Sequence, residues 1–177
     1  KNNIFKHLRV SVFMGETKNI LIVTNANDHL SADRLYRKIS TEISALYEAA
    51  NVTRSDQKIF PVRYVVSHQD FQDASAQKYQ FAIASDLWVP RYLGETFQHT
   101  LNGLDILTKL REKHVKTMVL SDSIVKIPQE IGLIGKLKKF EIPEADLAKR
   151  IAKYLLAEAP LPFVNLQVIE PDWKQRL

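Results

Sequence analysis

Asn19-Ile20-Leu21-Ile22-Val23-Thr24-Asn25-Ala26-Asn27-Asp28 is the stretch that decides the fold class. Its first half is short, apolar and β-branched, and it breaks abruptly into turn-forming polar residues. That pattern reads as a buried strand running into a loop. Downstream, Leu35, Ile39, Ile43, Leu46 and Ala50 recur at three-to-four spacing, which predicts an amphipathic helix capped by Ser31 and continuing to about Asn51. A strand that hands over to a helix in this way is the start of a βαβ unit.

The alternation continues along the chain. Residues 53–58 are polar linker, Pro61 to Val66 reads as a second strand, and Ser67, His68 and Gln69 open a short helix. Phe81-Ala82-Ile83-Ala84-Ser85 is a third apolar strand that ends at Asp86, with Pro90 marking the chain's departure. Gly103 to about Lys113 is helical, with Leu104, Leu107 and Leu110 on one face. Thr117 to Leu120 is a fourth strand, Ile131 to Leu137 a fifth, and Pro143 starts a last helix through Leu147, Ile151 and Leu155.

Five strands alternating with helices predict an α/β three-layer sandwich, a five-stranded parallel sheet with helices on both faces, because right-handed crossovers place the helices there. In such sheets ligands bind outside the carboxyl ends of the strands. Asp28, Asp86 and Ser121 all follow strands at that edge. The expected domain spans 18–157, between an extension at 1–17 and a proline-containing tail at 158–177.

Composition bounds the chemistry. With 177 residues, 45% hydrophobic and 25% charged, the chain suits one domain with a full core. No apolar run approaches the ~20 residues of a membrane span, so a soluble, cytoplasmic protein without membrane partners is expected. The lack of cysteine excludes disulfides and thiolate chemistry. A net charge of +5 without a Lys/Arg run argues against direct nucleic-acid binding. Five glycines, with no G-x-G-x-x-G or P-loop, remove the common nucleotide-cradling loops.

The segment Phe81-Ala-Ile-Ala-Ser-Asp86-Leu-Trp-Val-Pro90 resembles the third strand of response-regulator receiver domains, with an aspartate at the strand end and a proline four positions later. Asn102-Gly103-Leu104-Asp105-Ile106-Leu107 with Leu110-Arg111-Glu112 resembles that family's next helix. Thr117-Met-Val-Leu120-Ser121 is similar to its fourth strand, and Lys138-Lys139-Phe140 to the segment after its fifth. The resemblance implies the flavodoxin-like, CheY-like strand order 2-1-3-4-5. It also implies a two-component, phosphorelay function, in the manner of an atypical receiver such as a quorum-sensing regulator carries. Asp86 would accept a phosphoryl group from a histidine kinase and alter homodimerisation or a C-terminal output domain, so the chain would not itself be an enzyme.

The departures are equally specific. Thr24 and Asn25 stand where receivers carry an acidic pair, the loop from Pro90 to Gly103 is longer, and the stretch from Ser121 to Lys138 is shorter. The implied site is Asp86 with Lys138 and Ser121. The implied cofactor is Mg²⁺ on Asp28, Asp86, the backbone carbonyl of Trp88 and, weakly, Asn25. Each residue has a plainer reading: Asp86, Asn25, Asn27 and Asp28 as turn formers, Lys138 (or its rival Lys136) as a solvated lysine, Ser121 as a strand-ending hydroxyl, Trp88 as cover for the sheet edge. His68 and His99 read as ordinary polar residues. Two further functions remain open, a docking module that never takes phosphate and an enzyme whose lid is 91–101.

Overall fold

A computed structural model describes residues 17–74, 79–95, 102–121, 135–138 and 142–157. Its elements run β1 (Ile20–Val23), α1 (His29–Ala49), β2 (Val62–Val65), α2 (His68–Ala74), β3 (Phe81–Ala84), α3 (Asn102–Glu112), β4 (Lys116–Ser121), β5 (Gly135–Lys138) and α4 (Glu144–Ala157). The strands form one parallel sheet in the order β2-β1-β3-β4-β5. The α/β architecture with a parallel sheet and helices on both faces is therefore present. Residues 1–16 of the expected extension and the whole of the expected tail lie outside the described residues, as do residues 131–134 of the expected fifth strand.

Strand alternation sorts the helices. Ile20, Ile22, Phe81, Ile83, Met118, Leu120 and Leu137 face α1 and α4. Leu21, Val23, Ala82, Ala84 and Val119 face α2 and α3. All four residues of β1 and all four of β3 are buried, as they must be when successive side chains point to opposite covered faces. Among the described residues no helix is long and apolar enough to cross a membrane.

Helix starts and stops correct the sequence reading in detail. The N-cap of α1 is Asp28, not Ser31, and it makes no side-chain cap hydrogen bond. At the other end Asn51 takes φ 52°; its N–H donates to Glu48 O (3.0 Å) and that of Val52 to Tyr47 O (3.0 Å), the paired bonds of a left-handed C-terminal stop. α3 ends the same way on His114, with φ 56°.

The turn after β3 is stitched from three sides. Gly103 N–H donates to Leu87 O (3.0 Å), Asn102 Nδ2 to Val89 O (2.8 Å) and His68 N–H to Pro90 O (2.7 Å). Gly103 sits so close that a Cβ there would lie 2.5 Å from Leu87 O and 2.6 Å from Leu87 Cα. Both are backbone atoms, so the obstacle cannot rotate away. Gly103→Ala is expected to destabilise the fold by about 1–3 kcal/mol through overpacking, read as a lower urea midpoint; an unchanged midpoint would show that α3 can shift freely on the turn.

Candidate functional site

The carboxyl edge of β1 and β3 carries the first polar residues after two apolar strands. Thr24 and Asn25 are buried there, at 0% and 5% exposure, so their polar groups need partners within the protein. Asn25 finds them in two directions. Its Nδ2 donates to Asp86 Oδ2 (2.5 Å), and its Oδ1 accepts from the Asp28 N–H (2.9 Å). The other Asp86 oxygen, Oδ1, accepts from the Trp88 N–H (2.8 Å). Asp86 thus closes its own turn while Asn25 ties the ends of β1 and β3 together.

The expected site residues are only partly assembled. Asn25, Asp28 and Asp86 meet at this edge, with the half-buried Trp88 beside them. Ser121 and Lys138 are register partners at the ends of β4 and β5, and Lys136 pairs with Val119; the side chains of these three lie outside the described residues. Among the described residues no group of three or more His, Cys, Asp or Glu converges as metal ligands. Residues 96–101 of the expected lid, and His99 with them, lie outside the described residues; Tyr92 and Leu93, which precede them, are exposed.

His68 is more than an ordinary surface residue. Its Nε2 lies 2.5 Å from Asp105 Oδ2, which also receives Lys109 Nζ at 3.0 Å. The hydrogen bond from His68, and then that from Lys109, hold the Asp105 carboxyl below its usual range. This cluster ties α2 to α3 across a separation of 37 residues, which the sequence order hides.

A cleft opens beside the Asn25–Asp86 contact, on the face of the sheet covered by α1 and α4. Its cavity volume is small, about 60 Å³, and it opens to solvent. Its floor is apolar, from Leu35 of α1, Leu120 and Leu137 of the sheet, and Ile142 and Leu147 on the α4 side. Its mouth is polar, from Asp28, Ser31, Arg34 and Glu144, and the buried Ser85 adds one hydroxyl to the lining. Ser85 Oγ donates to Val23 O (3.2 Å). Glu144 takes a two-point contact from Arg34, Nε to Oε1 at 3.1 Å and Nη2 to Oε2 at 3.3 Å, and a third from Lys38 Nζ at 2.8 Å. Burial pushes the Glu144 carboxyl up, but the hydrogen bonds from Lys38 and Arg34 outweigh it and hold it below its ordinary value.

No family model and no curated protein matches this chain. A solved structure that does match is the sugar isomerase domain of the RpiR transcription factor from Sphaerobacter thermophilus, 17% identical, with 86% of this chain and 76% of that chain covered and a TM-score of 0.43. The neighbour found is not a receiver, and the phosphorelay function, the two-component assignment and the quorum-sensing regulator are withdrawn. The physical reason for the earlier resemblance is local. An apolar strand can end in a turn-forming aspartate wherever a buried parallel strand meets its loop, and here Oδ1 of Asp86 closes that turn while Oδ2 accepts from Asn25 at the end of β1. At this similarity the isomerase likeness assigns no sugar chemistry to the chain.

Asn25→Ala removes one acceptor and one donor at a buried position; Asp86 Oδ2 loses the Asn25 donor, while the Asp28 N–H keeps the backbone carbonyl of residue 25 (3.2 Å). It is expected to cost about 2–3 kcal/mol, since one of the bonds is to a charged group. Chemical denaturation measures this directly, and a loss below about half a kcal/mol would mean that water replaces Asn25 without penalty.

Proposed function

We propose that this domain binds a small molecule with an apolar body and a polar head in the cleft between α1 and α4. The observation that carries the reading is the cleft's division into an apolar floor and a polar mouth, at the carboxyl edge of a parallel sheet. The strand order supports it. In the order 2-1-3-4-5 the chain winds outward in opposite directions from β1 and β3, and the crevice outside their carboxyl ends is where doubly wound, flavodoxin-like domains hold ligands. Asp28 and Ser85, which follow those two strands, both line the cleft.

Binding is favoured over catalysis because the two hydroxyls that follow β1 and β3, those of Thr24 and Ser85, both donate to backbone carbonyls, Asn25 O (3.4 Å) and Val23 O (3.2 Å). A regulatory or transport role for a soluble domain fits such a site better than a nucleophilic one.

An anilinonaphthalene dye, with an aromatic body and a sulfonate head, tests the cleft. Native protein should bind it at a single site with enhanced fluorescence, and Ser31→Phe, which places a ring in the mouth at a partly exposed helical position, should weaken binding at least tenfold while the cooperative melt is retained. Equal dye affinity in both proteins would contradict the proposed location.

Mg²⁺ at Asp28 and Asp86 is a separate proposal. Asn25 turns its N–H toward Asp86, so the oxygen donors that would hold the ion are Asp28, the second lone pairs of the Asp86 carboxylate and waters. Such a site is weak and electrostatic. Calorimetric titration should show lower Mg²⁺ affinity in Asp28→Ala, and unchanged affinity would remove Asp28 from it.

A further inference from the structure

The geometry of the cleft mouth points to an aliphatic carboxylate as the ligand class, an inference that rests on the binding role proposed above. Arg34 and Lys38 lie one helical turn apart on α1 and converge on a single anion, Glu144. Two cations facing one carboxylate leave the group with a net charge of +1. The hydrogen bonds are also incomplete. Arg34 uses two of its five N–H donors on Glu144 and Lys38 uses one of three. The Ser31 hydroxyl, one turn back on the same helix, likewise has no partner among the described residues.

A second carboxylate placed against Arg34 and Lys38 would therefore neutralise the group and use donors that are already oriented by Glu144. A planar guanidinium fixed at one edge presents its other edge to such a head group. Glu144 is the positioning residue in this arrangement, since it holds Arg34 at the mouth and ties Lys38, one turn further along α1 and outside the cleft lining, to the same carboxylate. Asp28 is the other acid of the mouth. It lies six residues before Arg34, about 9 Å along the helix axis, so it opposes an anionic head there only weakly.

The body of the ligand follows from the floor. From Arg34 the cleft continues over Leu35, Leu120, Leu137, Ile142 and Leu147. These are aliphatic side chains; the described lining contains no aromatic platform for a ring, and its one buried polar side chain, Ser85, already donates its hydroxyl to Val23 O (3.2 Å). An unbranched or branched alkyl chain matches such a surface, and each methylene it buries should raise affinity by about fourfold.

Calorimetry or ligand-observed NMR with octanoate, hexanoate, octanol and octylamine tests this. Octanoate should bind at least tenfold more tightly than octanol, as a charge-assisted head-group contact requires, and more tightly than hexanoate. Arg34→Gln should bring octanoate down to the level of octanol, and Lys38→Gln, which keeps the Arg34–Glu144 pair, should weaken octanoate several-fold without changing octanol. If octanol and octanoate bind equally, the carboxylate inference falls while the cleft stands. If octylamine binds best, the head site is acidic and the inference is overturned. If none of the four binds, the proposed binding role falls with it.

Discussion

Everything at the working edge of this domain follows from β1 having no exposed face. A strand with neighbours on both sides and helices above and below can carry only apolar side chains, and Ile20-Leu21-Ile22-Val23 obeys that strictly. The first polar side chains come only at its carboxyl end, where Thr24 and Asn25 are still buried. Buried polar groups need partners. Asn25 meets that requirement by bonding to Asp86 of the next strand and to the backbone of its own turn. The result is a fixed rim, with the start of α1 and the turn after β3 set against each other.

That rim places the cleft. α1 leaves the turn at Asp28, α4 runs beside it, and the cleft lies between the first turns of the two helices, over the buried Leu120 and Leu137 of the sheet. Arg34 and Glu144, 110 residues apart in sequence, bridge the helices at this point together with Lys38. Exposed ion pairs of this sort add little stability; Arg34 is 57% exposed. Their importance here is that they set Arg34, with Lys38 behind it, at the entrance of a largely apolar space.

The layered fold was legible in the sequence because its signals are local. β-branched runs ended by polar turns marked β1 and β3, and three-to-four spacing marked α1, α3 and α4. The strand-end position of Asp86 was legible for the same reason. Its role was not, because the residue that engages it, Asn25, lies 61 positions away and reads from sequence alone as one turn former among several. Short motif matches therefore suggested a receiver when the same residues serve to hold a turn. The cleft was illegible for a related reason: Arg34 and Lys38 look like solvated positions of an amphipathic helix, and Glu144 like an acidic first-turn residue. Only the packing of α1 against α4 brings them together, and the pairing of His68 with Asp105 was hidden in the same way.

The central claim is that the cleft between α1 and α4 is the ligand site of the domain. Backbone amide chemical shifts of isotopically labelled protein, followed as an aliphatic ligand is titrated, locate it without any substitution. The account predicts that shifts concentrate at Ser31, Leu35, Leu120, Leu137 and Leu147 and saturate together. Shifts centred instead on the opposite face, at Phe71, Ile106 and Leu110, or scattered with no common saturation, would contradict it.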